Sequence, residues 1–286
     1  MKMLPSFAVA AVTITSASLS HTPAALAEAP WNVGGFDMPE SAIFDSTRNR
    51  VILSNIAGHP GEADGNGFLT LLSETGQILD LDWVDGLDAP KGMAFVGQNL
   101  LVADLNTLHV IDAETGAIRR SIMVEGAGFL NDVTSDGQTA YISDLMTDSI
   151  WRYADGRVTL WMQHDQLSHP NGLLLDGARL LVGTWGEGLK EDFSTEVAGS
   201  LLSVDLETRA ISIVVPEIGN IDGITRVGDE ILLNDWVTGE VFTVNGAGEV
   251  DLAINLSPGV ADISSHGNTL FLPMMLYGDL RVVTYP

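Results

Sequence analysis

Pro170-Asn171-Gly172-Leu173-Leu174-Leu175-Asp176-Gly177-Ala178-Arg179-Leu180-Leu181-Val182-Gly183-Thr184 carries the pattern that decides the fold. A polar residue opens a short apolar run, an Asp-Gly turn reverses the chain, and a second apolar run follows. That reads as strand, tight turn, strand. The opening phrase recurs as Pro39-Glu40-Ser41-Ala42, Pro90-Lys91-Gly92-Met93, Leu130-Asn131-Asp132-Val133, Ile221-Asp222-Gly223-Ile224 and Ala261-Asp262-Ile263. Its polar positions, Glu40, Lys91, Asn131, Asn171, Asp222 and Asp262, are spaced by 51, 40, 40, 51 and 40 residues. A period near 40 residues marks radial or stacked repeats, in which equivalent positions point to one place.

The second runs follow their own turns. They include Arg50-Val51-Ile52-Leu53-Ser54, Asn99-Leu100-Leu101-Val102-Ala103 and Glu230-Ile231-Leu232-Leu233-Asn234. A third strand follows in most units, as in Ser149-Ile150-Trp151-Arg152-Tyr153, and a fourth after another Gly-bearing turn. No helical period is sustained in this part of the chain. Six units of four strands predict an all-β, six-bladed β-propeller with four-stranded antiparallel blades. A stacked pair of β-sandwiches is the alternative. The recurring Gly-His and Trp-Asp frame of WD40 repeats is absent. The two 51-residue spacings place insertions at His59 to Phe68 and Gly186 to Gly199. Insertions on repeat folds tend to gather on the binding face.

Lys2, the apolar small-residue run Phe7 to Leu19 and the Ala25-Leu26-Ala27 site read as a secretory leader over residues 1–27. One propeller domain is expected over 28–286, in the periplasm or secreted. No later stretch is apolar for the length a membrane span needs, so no membrane association is expected after cleavage. The formal net charge is −25, from 38 acidic and 13 basic residues. A field of that sign repels nucleic acid and anionic lipid and attracts cations. The chain has no cysteine, which excludes thiolate metal sites and a cysteine nucleophile.

In a propeller the innermost strand of each blade lines the axial channel. The six polar positions would then form a ring at one mouth. A second layer on the next strands would contain Asn55, Asp104, Asp144, Trp185, Asp235 and Met275. Carboxylates crowded at one mouth need a cation or protons. Oxygen donors from Asp, Glu and Asn suit a hard ion of the Ca²⁺ type. His169, beside Pro170-Asn171, is a candidate for the mouth, as is His59 in the first insertion. Trp185, Trp236 and Met275 are candidates for an apolar wall of a substrate pocket. Glu62-x-Asp64-x-Asn66-Gly67 begins like an EF-hand loop, but its twelfth position is Ser73 and it is not an EF-hand. There is no G-x-S-x-G elbow and no Walker loop.

These segments resemble the senescence marker protein/gluconolactonase/luciferin-regenerating enzyme family of six-bladed propellers. The resemblance rests on Glu40 in Pro39-Glu40-Ser41, Asn171 in Asn171-Gly172, Asp222 in Asp222-Gly223 and Asn131 in Asn131-Asp132. It implies that Glu40, Asn131, Asn171 and Asp222 surround a divalent metal and that Asp222 also serves as general base. The implied activity is metal-dependent hydrolysis of a lactone or small ester. Lys91 departs from the family pattern. It could donate to a substrate oxyanion or carboxylate, or pair with Glu40 or Asp262. Two other readings stay open: a propeller that binds a small ligand or partner protein around a structural ion, and a metal-free enzyme of the strictosidine-synthase kind.

Overall fold

The first hairpin of every blade turns through a residue in the left-handed region: Asn49, Gly97, Gly137, Gly177, Gly228 and Gly267, with φ between 53° and 88°. Asn and Gly tolerate that region with little cost, which is why they fill these turns. A computed structural model describes residues 31–286 of the chain. The expected leader at residues 1–27 lies outside the described residues.

Six antiparallel sheets are present. Blade 1 comprises Pro39–Asp45, Arg50–Asn55, Gly67–Ser73 and Ile78–Leu87. Blade 2 comprises Pro90–Val96, Asn99–Asp104, Thr107–Asp112 and Ile118–Met123. Blade 3 comprises Leu130–Ser135, Ala140–Asp144, Ser149–Ala154 and Arg157–Gln163. Blade 4 comprises Pro170–Asp176, Arg179–Thr184, Val197–Asp205 and Ile211–Gly219, with the short strand Gly186–Glu187 added to the third. Blade 5 comprises Ile221–Val227, Glu230–Asp235, Glu240–Val244 and Val250–Asn255. Blade 6 comprises Ser264–His266, Thr269–Met274 and Asp279–Thr284, and its outermost strand is Trp31–Gly34 from the other end of the chain. The only helix among the described residues is the single 3₁₀ turn Asp165–Leu167.

The first strand of each blade packs against the first strands of both neighbours, and blade 6 against blade 1. The ring is therefore closed and the first strands surround its axis. A parallel bridge between Ser41 and Asp262 marks the seam. This is the propeller expected from the sequence, and a sandwich is excluded.

Apolar burial is distributed between blades. Leu69 and Leu100 join blades 1 and 2, Leu108 and Ile142 join blades 2 and 3, and Tyr141 and Leu180 join blades 3 and 4. Leu201 and Ile224, Val241 and Leu272, and Val282 and Leu53 complete the circuit. Each fully buried Leu or Ile contributes about 1.5–3 kcal/mol. A blade's faces are dry only when both neighbours are present, so the six sheets stabilise one another as a set.

Candidate functional site

The inner strands of blades 1 to 5 carry the same irregularity at their start. Pairing with the second strand slips between Pro39 and Ala42, Pro90 and Met93, Leu130 and Val133, Pro170 and Leu173, and Ile221 and Ile224. An extra residue in one strand bends it and re-aims the side chains around it. The residues inside this bulge are Glu40, Lys91, Asn131, Asn171 and Asp222, each followed by one more. The amide freed by the bulge finds a side-chain acceptor on strand two. Ser41 N donates to Ser54 Oγ at 3.0 Å, Asp132 N to Ser143 Oγ at 2.9 Å and Gly223 N to Asn234 Oδ1 at 2.9 Å.

Blade 6 corrects one expectation. Val260 pairs with Met274 there, and Ser264 with Phe271. By the same register, the ring position is Ala261. Asp262 is equivalent to Ser41, Gly92, Asp132, Gly172 and Gly223. A shift of one residue reverses the face to which a strand side chain points, so Asp262 lies on the far side of the ring. There it lines a second cavity with Asp132 at the opposite end of the channel. Ser41 Oγ donates to Asp262 Oδ2 at 2.6 Å. Asp132 accepts from Val133 N at 2.5 Å and Leu173 N at 2.6 Å. At Gly172 and Gly223 glycine is required because the neighbouring backbone is so close. A Cβ on Gly172 would lie 2.4 Å from the Asp222 carbonyl oxygen, and one on Gly223 would lie 2.2 Å from Ile263 N.

The other five ring residues come together as expected. Glu40, Lys91, Asn131, Asn171 and Asp222 are buried at the base of one cavity of about 410 Å³. Trp185, Trp236 and Met275 line its wall, with Phe129, Leu145 and Phe193. The Trp185 and Trp236 rings lie 6.1 Å apart at 52°. Both insertions reach the cavity, the first through Pro60 and the second through Asp192, Phe193 and Ser194. His169 does not line it. Its Nδ1 sits 2.8 Å from the Leu145 carbonyl and its backbone N–H donates to Asp148 Oδ1 at 2.7 Å, so it ties loops together beneath the wall. His59 likewise serves its own loop, accepting from Gly61 N at 3.2 Å.

The expected second layer is structural. Asp104 accepts from the backbone N–H groups of Asp88 and Ala89 at 2.8 and 2.7 Å. Asp144 accepts from Gly128 N and Phe129 N at 2.9 and 2.8 Å. Asp235 accepts from Asn220 N at 3.3 Å. These carboxylates fix the loop leading to the next ring residue and do not line the mouth cavity. Asn55 turns to Thr70 Oγ1 at 3.1 Å. In blade 4 the equivalent position is Thr184, which pairs with Pro170; Trp185 is one residue further on and is thereby turned to the cavity.

Burial sets the electrostatics of the axis. Asp222 and Asp132 are each pushed up to about 7, chiefly by burial, against hydrogen bonds that favour their ionised forms. Glu40 is held well above the usual carboxylate range by burial and then by the charges of Asp222 and Asp132. Asp262 is raised by burial and by Asp132 and Glu40. Lys91 is lowered to about 8 by burial, opposed by Glu40 and Asp104. Lys91 makes no ion pair with Glu40 or Asp262. Its Nζ donates to the carbonyls of Pro60 at 3.1 Å and Ala89 at 2.9 Å and lies 4.3 Å from the centre of the Phe129 ring.

Four carboxylates and one ammonium thus share the axis. Two buried acceptors in the mouth ring, Glu40 Oε2 and Asn171 Oδ1, have no hydrogen-bond partner among the described residues. Asn171 Nδ2 is already committed to Asp222 Oδ1 at 2.8 Å. Orphaned acceptors beside a carboxylate are what an oxygen-ligated cation would satisfy. No cluster of three His, Cys, Asp or Glu side chains arranged around one metal position occurs among the described residues. A cation here would depend on the amide oxygens of Asn171 and Asn131 as much as on carboxylates. The donors fit a hard cation and do not fit a soft one. Asp132 was visible in the sequence only as the neighbour of Asn131, and Phe129 and Phe193 carried no signal that set them apart from core residues.

The class defined so far is a six-bladed propeller with a polar ring beneath an apolar cavity. No known family profile matches the chain, and no curated protein matches it. Solved structures do match. A gluconolactonase from Xanthomonas campestris superimposes with a TM-score of 0.66 at 15% identity, over 93% of this chain and 93% of that one. A second structure described as a gluconolactonase gives 0.64 at 19% identity, over 88% and 90%. A catalytically inactive virginiamycin B lyase from Staphylococcus aureus, solved with quinupristin, gives 0.60 at 13%, over 90% and 99%. At such identities the likeness establishes the fold, and the gluconolactonase resemblance read from the sequence has its counterpart among these propellers.

Proposed function

We propose that this protein is a divalent-metal-dependent hydrolase, with Ca²⁺ the preferred ion, acting on a lactone or small ester at the mouth cavity. The observation that carries the reading is the pair of buried, unpartnered acceptors, Glu40 Oε2 and Asn171 Oδ1, beside Asp222. Glu40, Asn171 and Asp222 would hold the ion, with Asn131 adjacent. A bound divalent cation supplies Lewis-acid polarisation of the substrate carbonyl.

The protein groups divide the remaining work. Asp222 would take a proton from water on the oxygen that Asn171 does not engage. Water adds to the carbonyl carbon, the ring C–O bond breaks, and that proton passes to the departing alkoxide, giving a hydroxy acid. Lys91 has two of its three ammonium hydrogens on the Pro60 and Ala89 carbonyls. The third is available to the developing oxyanion. The apolar wall keeps bulk water from this polar base.

The mainly apolar wall, which can hold a ligand without any chemistry, favours a second reading, in which the ion plugs the channel and the cavity only binds a ligand. Calorimetric Ca²⁺ titration of chelator-treated protein, followed by a pH-indicator assay on small lactones, separates them. Ion binding with ion-dependent acid release supports hydrolysis; ion binding without turnover supports the plug. The leader-type sequence of residues 1–27 supports export to the periplasm or medium, which N-terminal sequencing of the secreted fraction tests.

A further inference from the structure

Resting on that hydrolase reading, we infer that the substrate is an apolar lactone or ester, with a hydrocarbon body against Trp185, Trp236 and Met275 and its carbonyl on the polar ring, and not a polyhydroxylated sugar lactone. The cavity is polar at its base and, through Asp192 and Ser194, at one place on its rim, and apolar between. Above Glu40, Lys91 and Asp222, the wall is made of Ile56, Phe129, Leu145, Trp185, Trp236 and Met275. Of the polar groups higher up, the Trp185 indole N–H and Ser194 are engaged within the protein, and Asp192 keeps one oxygen at the rim. Trp185 Nε1 donates to the Phe193 carbonyl at 2.8 Å, so the indole's polar atom is already partnered. Ser194 Oγ donates to Asp192 Oδ1 at 2.6 Å, and Ser194 N to the same oxygen at 3.1 Å.

A sugar lactone carries a hydroxyl on nearly every carbon. Each would lose its water at this wall without gaining a partner, which is costly. A hydrocarbon chain or ring loses nothing and gains apolar contact. The rim points the same way. Val237 and Leu276 line the cavity entrance and are 46% and 56% exposed, an outlay of apolar surface that a polar ligand would not use.

The test compares δ-valerolactone, δ-octalactone, δ-decalactone and glucono-δ-lactone on the full chain. Binding is read by calorimetry and tryptophan fluorescence in chelator, and hydrolysis by acid release with Ca²⁺. Affinity is expected to rise about fourfold per added methylene until the cavity is full. Decalactone should exceed glucono-δ-lactone in kcat/KM by at least about a hundredfold. Met275→Gln should raise KM for decalactone more than for valerolactone. Chain-length-dependent binding without turnover overturns the hydrolase reading and leaves the apolar occupant standing. Preference for glucono-δ-lactone, in binding or turnover, overturns the apolar occupant and leaves the hydrolase standing. Absence of binding by any of the alkyl lactones also overturns the apolar occupant.

Discussion

Asn171 donates its amide to Asp222 Oδ1 at 2.8 Å, across the boundary between blades 4 and 5. This one bond orients both side chains. It points the Asn171 carbonyl oxygen into the ring, where no protein donor meets it. It also leaves the second Asp222 oxygen free for a proton or an ion.

Asp222→Asn keeps the shape and removes the charge. We expect calcium affinity to fall by more than about a hundredfold, since even residues that only support a ligand cost 10- to 100-fold. Ion-dependent lactone hydrolysis should be lost with it. Far-ultraviolet circular dichroism should be unchanged. A variant that unfolds while binding calcium normally would show that Asp222 is a structural residue.

Lys91→Met removes the ammonium at the base of the mouth. Calcium affinity should rise, by about tenfold, because a like charge no longer competes with the ion. Turnover should drop by about a hundredfold, as when an oxyanion donor is lost. Titration and steady-state kinetics on the same preparation separate the two effects. An unchanged calcium affinity would place Lys91 too far from the ion to matter.

The buried carboxylates make stability depend on pH. Asp132 and Asp222 bind protons up to about pH 7 in the folded protein and only to about pH 4 when unfolded. Between those values the folded state holds more protons, so stability falls as pH rises. Metal-free protein should therefore melt at a higher temperature at pH 5 than at pH 8, and calcium should recover most of the difference. Asp262→Asn should flatten the pH slope while changing calcium affinity less than about tenfold, because Asp262 lies behind the ring. A hundredfold loss of affinity in this variant would return Asp262 to the mouth.

Asp144→Ala strands the buried Phe129 N–H and Trp151 indole N–H and the partly buried Gly128 N–H. Leaving such donors unpaired should cost about 3 kcal/mol, measured by urea unfolding. Phe129 is the next residue but one before Asn131 and lines the cavity. The loosened loop should therefore also raise KM.

The repeat was legible because each blade copies one phrase, and five of six ring residues were found from it. The sixth was misplaced for a physical reason. The apolar partner lies two residues past the ring position in every blade: Ala42, Met93, Val133, Leu173 and Ile224. Ile263 sets the same phase in blade 6 and selects Ala261. The acidic side chain of Asp262 drew the reading one residue too far. The second-layer carboxylates misled differently. Asp104, Asp144 and Asp235 recur because each caps the loop of its own blade, and periodicity cannot separate a repeated brace from a repeated ligand. The freedom of Lys91 from any carboxylate was invisible, since it depends on the Pro60 carbonyl, delivered by an insertion with no counterpart in most other blades.

The outermost strand of blade 6 comes from the start of the described chain, with Trp31 opposite Val282. The circle therefore cannot be completed until nearly the whole polypeptide is available. Until then Trp31–Gly34 has no partner for its row of N–H and C=O groups, and two blade faces stay wet. A chain shortened past Gly34 would keep every ring residue yet lack this strand. Its predicted outcome is a blade of three strands whose new edge, Asp279–Thr284, can pair with another copy.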